Sequence, residues 1–252
     1  MIEREMSETG ASATSVLRRV VERGRHLVSP SGGRVPPSQP NFLIIGAQKA
    51  GTRWLRHNLG EHPDVLTAAQ ELWYFDHYFD RGSEWYRRQF AGYSGETAIG
   101  ESTPGYMIWG NDPHRNARRI DEQLPGARLF AVLREPADRT LSAFLHHLKR
   151  GRLSPDDDLL AYVRSRPPGE DPLQLIIGGW YAASLEPFFE RFGERLCVFL
   201  NDDIRADSAG VYRTALEHLG VDPKFVPEAL EESASATAPR RRATAARGSA
   251  RG

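Results

Sequence analysis

The segment FLIIGAQKAGTRWL, Phe42 to Leu55, constrains this chain more than any other. Phe42 to Ile45 is a continuous apolar run closed by glycine, the pattern of a strand buried on both faces. Thr52 to Leu59 reads as a helix, so the residues between Gly46 and Gly51 must turn the chain from strand to helix. Backbone N–H groups of such a loop, together with the helix N-terminus, form a cradle for an anion. Glycine lets the backbone approach a phosphate closely and adopt positive φ. The spacing departs from the triphosphatase pattern GxxxxGK[ST] at one point. Gly46 and Gly51 match, but Thr52 follows Gly51 directly and Lys49 lies two residues before it.

The rest of the chain alternates in the same manner. Strands are predicted at Ala98–Glu101, Arg128–Leu133 and Leu196–Leu200. Helices are predicted at Trp85–Phe90, Asp112–Leu124, Pro136–Lys149, Ala182–Phe192 and Ala209–Leu219. Asp112 and a closing Pro-Gly give the second of these a capped start and a stop. The expected fold is α/β, a P-loop-like three-layer sandwich with a mostly parallel central sheet flanked by helices. Residues 1–40 are read as an N-terminal helix, near Ala13 to Leu27, and a Pro/Gly/Ser-rich linker that is partly disordered. Residues 41–232 form the folded domain, and 233–252 an Ala/Ser/Arg-rich basic tail.

Bulk composition narrows the partners. With 33 basic and 33 acidic residues among 252, the formal net charge is zero. No global field recruits nucleic acid or an anionic membrane, and any anion site must come from local clustering. Cys197 is the only cysteine, inside the apolar run LCVFL, which excludes an internal disulfide and a cysteine-rich metal site. No stretch has the length of a membrane span, and the start of the chain lacks an apolar signal core. The expectation is a cytoplasmic protein of unassigned oligomeric state. Lys49, Lys149 and Lys224 are its only lysines, so a lysine inside a glycine loop stands out.

A second anion element follows. The Arg128–Leu133 strand ends in Arg134 and Glu135, with no carboxylate poised to hold Mg²⁺. An arginine there matches phosphate oxygens through its planar fork. With both elements in view, GAQKAGTRWL resembles the 5′-phosphosulfate loop of the sulfotransferase family. LREPADRTLSAF, Leu133 to Phe144, resembles that family's 3′-phosphate strand and helix. The resemblance runs from about Asn41 to Asp222 and is nearest to the group containing heparan sulfate sulfotransferases and bacterial relatives. It implies 3′-phosphoadenosine 5′-phosphosulfate as co-substrate, without a required metal. It puts Lys49 on the bridging and sulfate oxygens, and Ala50, Gly51, Thr52, Arg53 and Trp54 around the 5′-phosphate through backbone N–H groups and the Thr52 hydroxyl. Arg134 and Ser142 would hold the 3′-phosphate, whereas Arg139 is read as a surface or salt-bridge residue. A late basic loop, with Arg240 or Arg241, would close over the nucleotide.

QELWYFD, Gln70 to Asp76, resembles the family's KExHFFD block, which makes Glu71 the implied base. Flanking aromatic residues would desolvate it and raise its pKa. Asp76, His57 and His77 are fallback bases. GESTPGYM, Gly100 to Met107, resembles EKTPxYF. Glu71, Trp73, Thr103 and Tyr106 are thereby implied to shape the acceptor cleft, with a purely structural turn as the competing reading. Gln70 and Ser102 replace the family's lysines and Trp73 its histidine; the lysine lost at Ser102 weakens the case for a heavily anionic polysaccharide, and the histidine change does not touch the transfer chemistry. The implied reaction is in-line sulfuryl transfer to a hydroxyl or amine of a sugar-containing or secondary-metabolite acceptor. Two alternatives stand beside it: a nucleotide or small-molecule kinase on the same scaffold, and a non-catalytic nucleotide-binding protein.

Overall fold

The computed structural model describes residues 39–167, 170–228 and 230. The helix and linker read before residue 39 and the basic tail carrying Arg240 lie outside the described residues. Among these, strands are β1 (Phe42–Gly46), β2 (Val65–Thr67), β3 (Ala98–Ser102), β4 (Arg128–Leu133) and β5 (Leu196–Leu200). Helices are α1 (Thr52–Gly60), α2 (Gly82–Arg88), α3 (Pro113–Gln123), α4 (Pro136–Lys149), α5 (Leu159–Ser165), α6 (Tyr181–Phe192), α7 (Asn201–Ala206) and α8 (Ser208–Leu219). None is long and apolar enough to cross a membrane.

The strands form one sheet in the order β2-β3-β1-β4-β5, and every pairing is parallel. Central β1 is buried along its whole length, as a strand covered by helices on both faces requires. Phe42 lies opposite Gly100 of β3 and Arg128 of β4, and Ile44 opposite Ser102 and Phe130. Glycine is needed at position 100, because a Cβ there would fall 2.2 Å from the Phe42 carbonyl oxygen. After β1 the chain builds outward through β2 and β3 on one side, then crosses to β4 and β5 on the other. The order therefore reverses at β1, and the crevice outside its carboxyl end is where ligands bind in open α/β sheets.

The two helices that matter most start where sequence chemistry starts them. Asp112 caps α3 by accepting from the Arg115 N–H at 2.9 Å, with Pro113 at the first helical position. Glu135 caps α4 by accepting from the Asp138 N–H at 2.7 Å, again with proline following. Between Lys149 and Tyr181 the sequence analysis names no element. There α5 and the 171–177 segment fold against the outer half of α4 and build a small second core from Ala143, Phe144, Tyr162 and Leu175. Asp171 organises it, accepting from the Tyr162 hydroxyl and from the Leu175, Ile176 and Ile177 amides.

That segment corrects one reading. Arg139 is fully buried, not a surface residue. Its guanidinium donates to the carbonyls of Gln174 and Leu175, beneath Gly178, where no side chain would fit. The carbonyls of a wrapped loop supply its partners, and helix periodicity carries no trace of a loop that arrives from 35 residues downstream.

Candidate active site

The loop after β1 turns sharply. Gly46 packs so tightly on Met107 that a Cβ would meet its sulfur at 2.2 Å. Lys49 and Gly51 both hold positive φ, 70° and 123°. Gly51 is the N-cap of α1 without any side-chain cap, and the first turn has no acidic residue. The positive end of the helix is thus left for a ligand. Asn201, at the start of α7, braces the loop from below by donating to the Ala50 carbonyl at 2.8 Å. It is a functional support that the sequence analysis missed, since nothing in NDDIRA marks it.

Two of the expected amide donors are already engaged. The Ala50 N–H bonds to the Ala47 carbonyl at 3.2 Å, and the Trp54 N–H to Gly51 at 2.9 Å. A tight turn and a tightened first helical turn close on themselves there, which corrects the assignment of those two amides to a phosphate. The amides of Gly51, Thr52 and Arg53 belong to the positions a helix leaves without an internal acceptor. Trp54 itself is core, with its indole N–H near the Leu230 carbonyl.

A cleft of about 1000 Å³ opens above this loop. Lys49, Gly51, Thr52 and Arg53 line one part of it, Glu71 and Pro104 another, and Ser142 with His146 of α4 a third. His57, exposed on α1, lies at its rim. The loop lysine, the base implied at Glu71 and the serine of the second anion element therefore share one cavity.

Lys49, Arg53 and Arg56 give the cleft its positive charge, and Glu61 and Glu71 its acidic groups. Burial pushes the Lys49 ammonium below the usual lysine range, and Arg134, Arg150 and Arg53 push it further, with Glu71 pulling the other way. Arg134 does not itself line the cleft. It is buried in the turn between β4 and α4, held by Tyr181, whose hydroxyl donates to the Arg134 carbonyl at 2.8 Å. Its guanidinium faces Asp138 at 3.6 Å, and its Nε has no partner among the described residues. A buried guanidinium so weakly compensated suits an added anion.

The environment expected for Glu71 is found elsewhere. Glu71 is exposed at the cleft mouth, while its neighbours Leu72, Tyr74 and Phe75 turn inward. The desolvated carboxyl is Glu101 on β3, with no exposed surface. It accepts from the Tyr106 hydroxyl at 2.6 Å, the Thr103 hydroxyl at 2.5 Å and, more weakly, the Tyr86 hydroxyl and the Leu72 amide at 3.4 Å. Thr103 in turn accepts from the Leu72 and Trp73 amides, and Tyr106 from the Tyr74 amide. Thr103 and Tyr106 are thus fully buried braces under the Glu71 loop rather than acceptor contacts. Trp73 turns away too, stacked on His77 at 5.5 Å and seated against Gly105. Asp76 is buried beside His77, outside the cleft. Ser102, where the family has lysine, is buried at the end of β3 and brings no cation.

Burial raises Glu101 to about 7 against its hydrogen bonds. The folded chain then keeps a proton that the unfolded chain gives up above about 4.5. This group's contribution to stability is greatest in acid and is lost as pH rises from about 4.5 through 7, a total on the order of 3 kcal/mol. Histidines with lowered values act oppositely, so the difference between proteins is the useful quantity. Glu101→Gln is expected to flatten that part of the curve, read as denaturation midpoints from pH 5 to 8 for both proteins. Parallel curves would show that Glu101 does not titrate in this window.

A parallel sheet whose central strand delivers a glycine-bounded lysine loop, beside an arginine from the next strand, defines a P-loop-like protein built to hold phosphate-type anions. The chain is 30% identical over 183 residues to heparan sulfate glucosamine 3-O-sulfotransferase 6 of Mus musculus, covering 72% of this chain and 52% of that one. Over 123 residues it is 37% identical to the membrane-associated sulfotransferase kil1 of Dictyostelium discoideum, 46% of this chain and 25% of that one. A crystal structure of a sulfotransferase from Alicyclobacillus acidocaldarius superposes with a TM-score of 0.64 at 28% identity, covering 76% of this chain and 85% of that one. These similarities support a sulfotransferase assignment for the chain. It spans about half the length of the mouse relative and a quarter of the Dictyostelium one. No family model matches it. Among the described residues, no cluster of three or more His, Cys, Asp or Glu side chains is placed to hold a metal ion.

Proposed function

We propose that this chain transfers a sulfuryl group from 3′-phosphoadenosine 5′-phosphosulfate to a hydroxyl or amine of a sugar-containing or secondary-metabolite acceptor, with no metal required. The observation that carries the reading is Lys49 and Glu71 in one cleft, with Arg134 as the charge that acts most strongly on Lys49. The donor supplies an activated sulfate whose bond to the bridging oxygen breaks as the acceptor oxygen or nitrogen bonds to sulfur, releasing adenosine 3′,5′-bisphosphate. The chain's residues position and compensate charge. The amides of Gly51, Thr52 and Arg53 and the Thr52 hydroxyl hold the 5′-phosphate at the helix terminus. Arg134 and Ser142 hold the 3′-phosphate through charge-assisted bonds. Lys49 stabilises charge that develops on the leaving oxygen, and Glu71 accepts the acceptor's proton. An exposed carboxylate at the mouth is placed to meet a substrate entering from solvent.

The mouse relative is named for a heparan sulfate acceptor. The same chemistry on a less anionic acceptor fits this chain better, because Ser102 and Gln70 stand where the family carries lysines. The test is a transfer assay with isotopically labelled donor and a panel of neutral and anionic acceptors, in the presence of a chelator, read as the mass of one added sulfate. Calorimetry separates the kinase alternative: tight binding of adenosine 3′,5′-bisphosphate with chelator present supports the proposal, whereas preference for ATP–Mg²⁺ overturns it. In the same assay Arg134→Ala is expected to weaken bisphosphate binding about tenfold or more, since a charge-assisted bond contributes about 1.5–3 kcal/mol. Unchanged affinity in a folded variant would remove Arg134 from the site.

A further inference from the structure

His146 has no role in the reading above, yet it stands in the same cleft. On α4 it lies one turn beyond Ser142, on the same helical face, and both side chains line the cavity that holds Lys49 and Glu71. Cations surround it. Lys49 faces it from the β1–α1 loop, Arg150 follows one turn on at the end of the helix, and Arg152 lies just beyond. Its neighbour His147 is buried against the second core. Glu61 and Glu71 are the acidic residues that line the cleft.

We infer that His146 is a residue of the transfer cleft whose imidazole is neutral while the cleft is empty and gains a proton when the donor nucleotide binds, so that its full cationic charge is assembled only in the loaded protein. This rests on the donor reading proposed above. In the empty cleft, burial and then the charges of Lys49, His147, Arg150 and Arg152 hold His146 down to about 4. The donor brings one phosphate monoester of about −1.5 to −2 charge, and about −1 more on each of the phosphoryl and sulfuryl groups of its phosphosulfate. Placed against Lys49 and Ser142, they reverse the field that keeps His146 neutral, and an opposite charge at close range favours the protonated form. The proton comes from solvent, and no bond other than N–H forms. A charged imidazole in the same cleft then adds an N–H donor beside the sulfate, while Glu71 accepts the acceptor's proton.

The test is calorimetry of adenosine 3′,5′-bisphosphate binding near pH 6 in two buffers of different ionisation enthalpy, for the full chain and for His146→Gln. The phosphates' own second ionisation falls near that pH, but it contributes to both proteins, so the difference is the readout. The wild-type chain is expected to take up roughly half a proton more than the variant. Its affinity should also fall by about fourfold relative to the variant's between pH 5.5 and 8. NMR titration of the wild-type histidine ring protons, with and without bisphosphate, gives the same information if the variant folds poorly. Equal proton numbers, or a His146 resonance that titrates alike in both states, overturns the inference and leaves the donor reading intact. If the bisphosphate binds neither protein, the donor reading fails and this inference with it.

Discussion

Glu71→Gln is expected to lower kcat by about 10²–10⁴-fold, the range that a positioned general base contributes, with bisphosphate affinity close to wild type. Glutamine keeps the shape and removes the charge. Folding should be little affected, because the side chain is exposed and the Leu72, Trp73 and Tyr74 amides that hold the loop donate to Thr103 and Tyr106. A loss confined to turnover therefore identifies chemistry. Steady-state kinetics over pH 5 to 9, with calorimetry of the bisphosphate, check it. Full retention of kcat would move the base elsewhere in the cleft, to His57, which also lines it.

Lys49→Ala is expected to cost about 10²–10³-fold in kcat, the usual effect of removing one preorganised charge from a developing oxyanion. The same substitution should not lower the melting temperature. Lys49 is held below its ordinary value by burial and by Arg134, Arg150 and Arg53, so its charged form is less favoured folded than unfolded. At neutral pH that ammonium opposes folding, and removing it relieves the opposition. Loss of activity with unchanged or raised stability is the signature of a group retained for function. Lys49→Gly is the matched control: glycine suits the φ of 70° at this position but carries no charge, so it should be as inactive as alanine. Lys49→Arg should not rescue turnover, since a planar fork does not replace a compact ammonium. A variant that unfolds before it loses activity would assign Lys49 to structure.

Local signals carried most of the fold. Arg128–Leu133, Pro136–Lys149 and Leu196–Leu200 begin and end where apolar runs, caps and breakers place them. Val65–Thr67 was missed because three residues at a sheet edge, with only Val65 buried, make too short a pattern. The 150–180 region was missed because Asp171 orders it through local side-chain bonds and Arg139 through a long-range one, not periodicity. In the site, Lys49, Gly51 and Thr52 were legible because a strand, a glycine loop and a helix are contiguous. His146 and Asn201 were not, since each acts on residues far away in the chain. The expectation for Glu71 erred for a related reason. Aromatic neighbours in sequence do not desolvate a carboxylate when Leu72, Tyr74 and Phe75 point inward and it points out.

The order of amino acids by itself determined the strand–loop–helix units, the lysine within a glycine-bounded turn and the arginine at the end of β4, because each depends on residues adjacent along the backbone. Only the tertiary structure decided which carboxylate is buried and which faces solvent, which amides the loop keeps for itself, and that α4 brings Ser142 and His146 to the cleft of Lys49. Burial and electrostatic coupling are properties of distance in space, and parallel crossovers fold together segments that are widely separated in sequence.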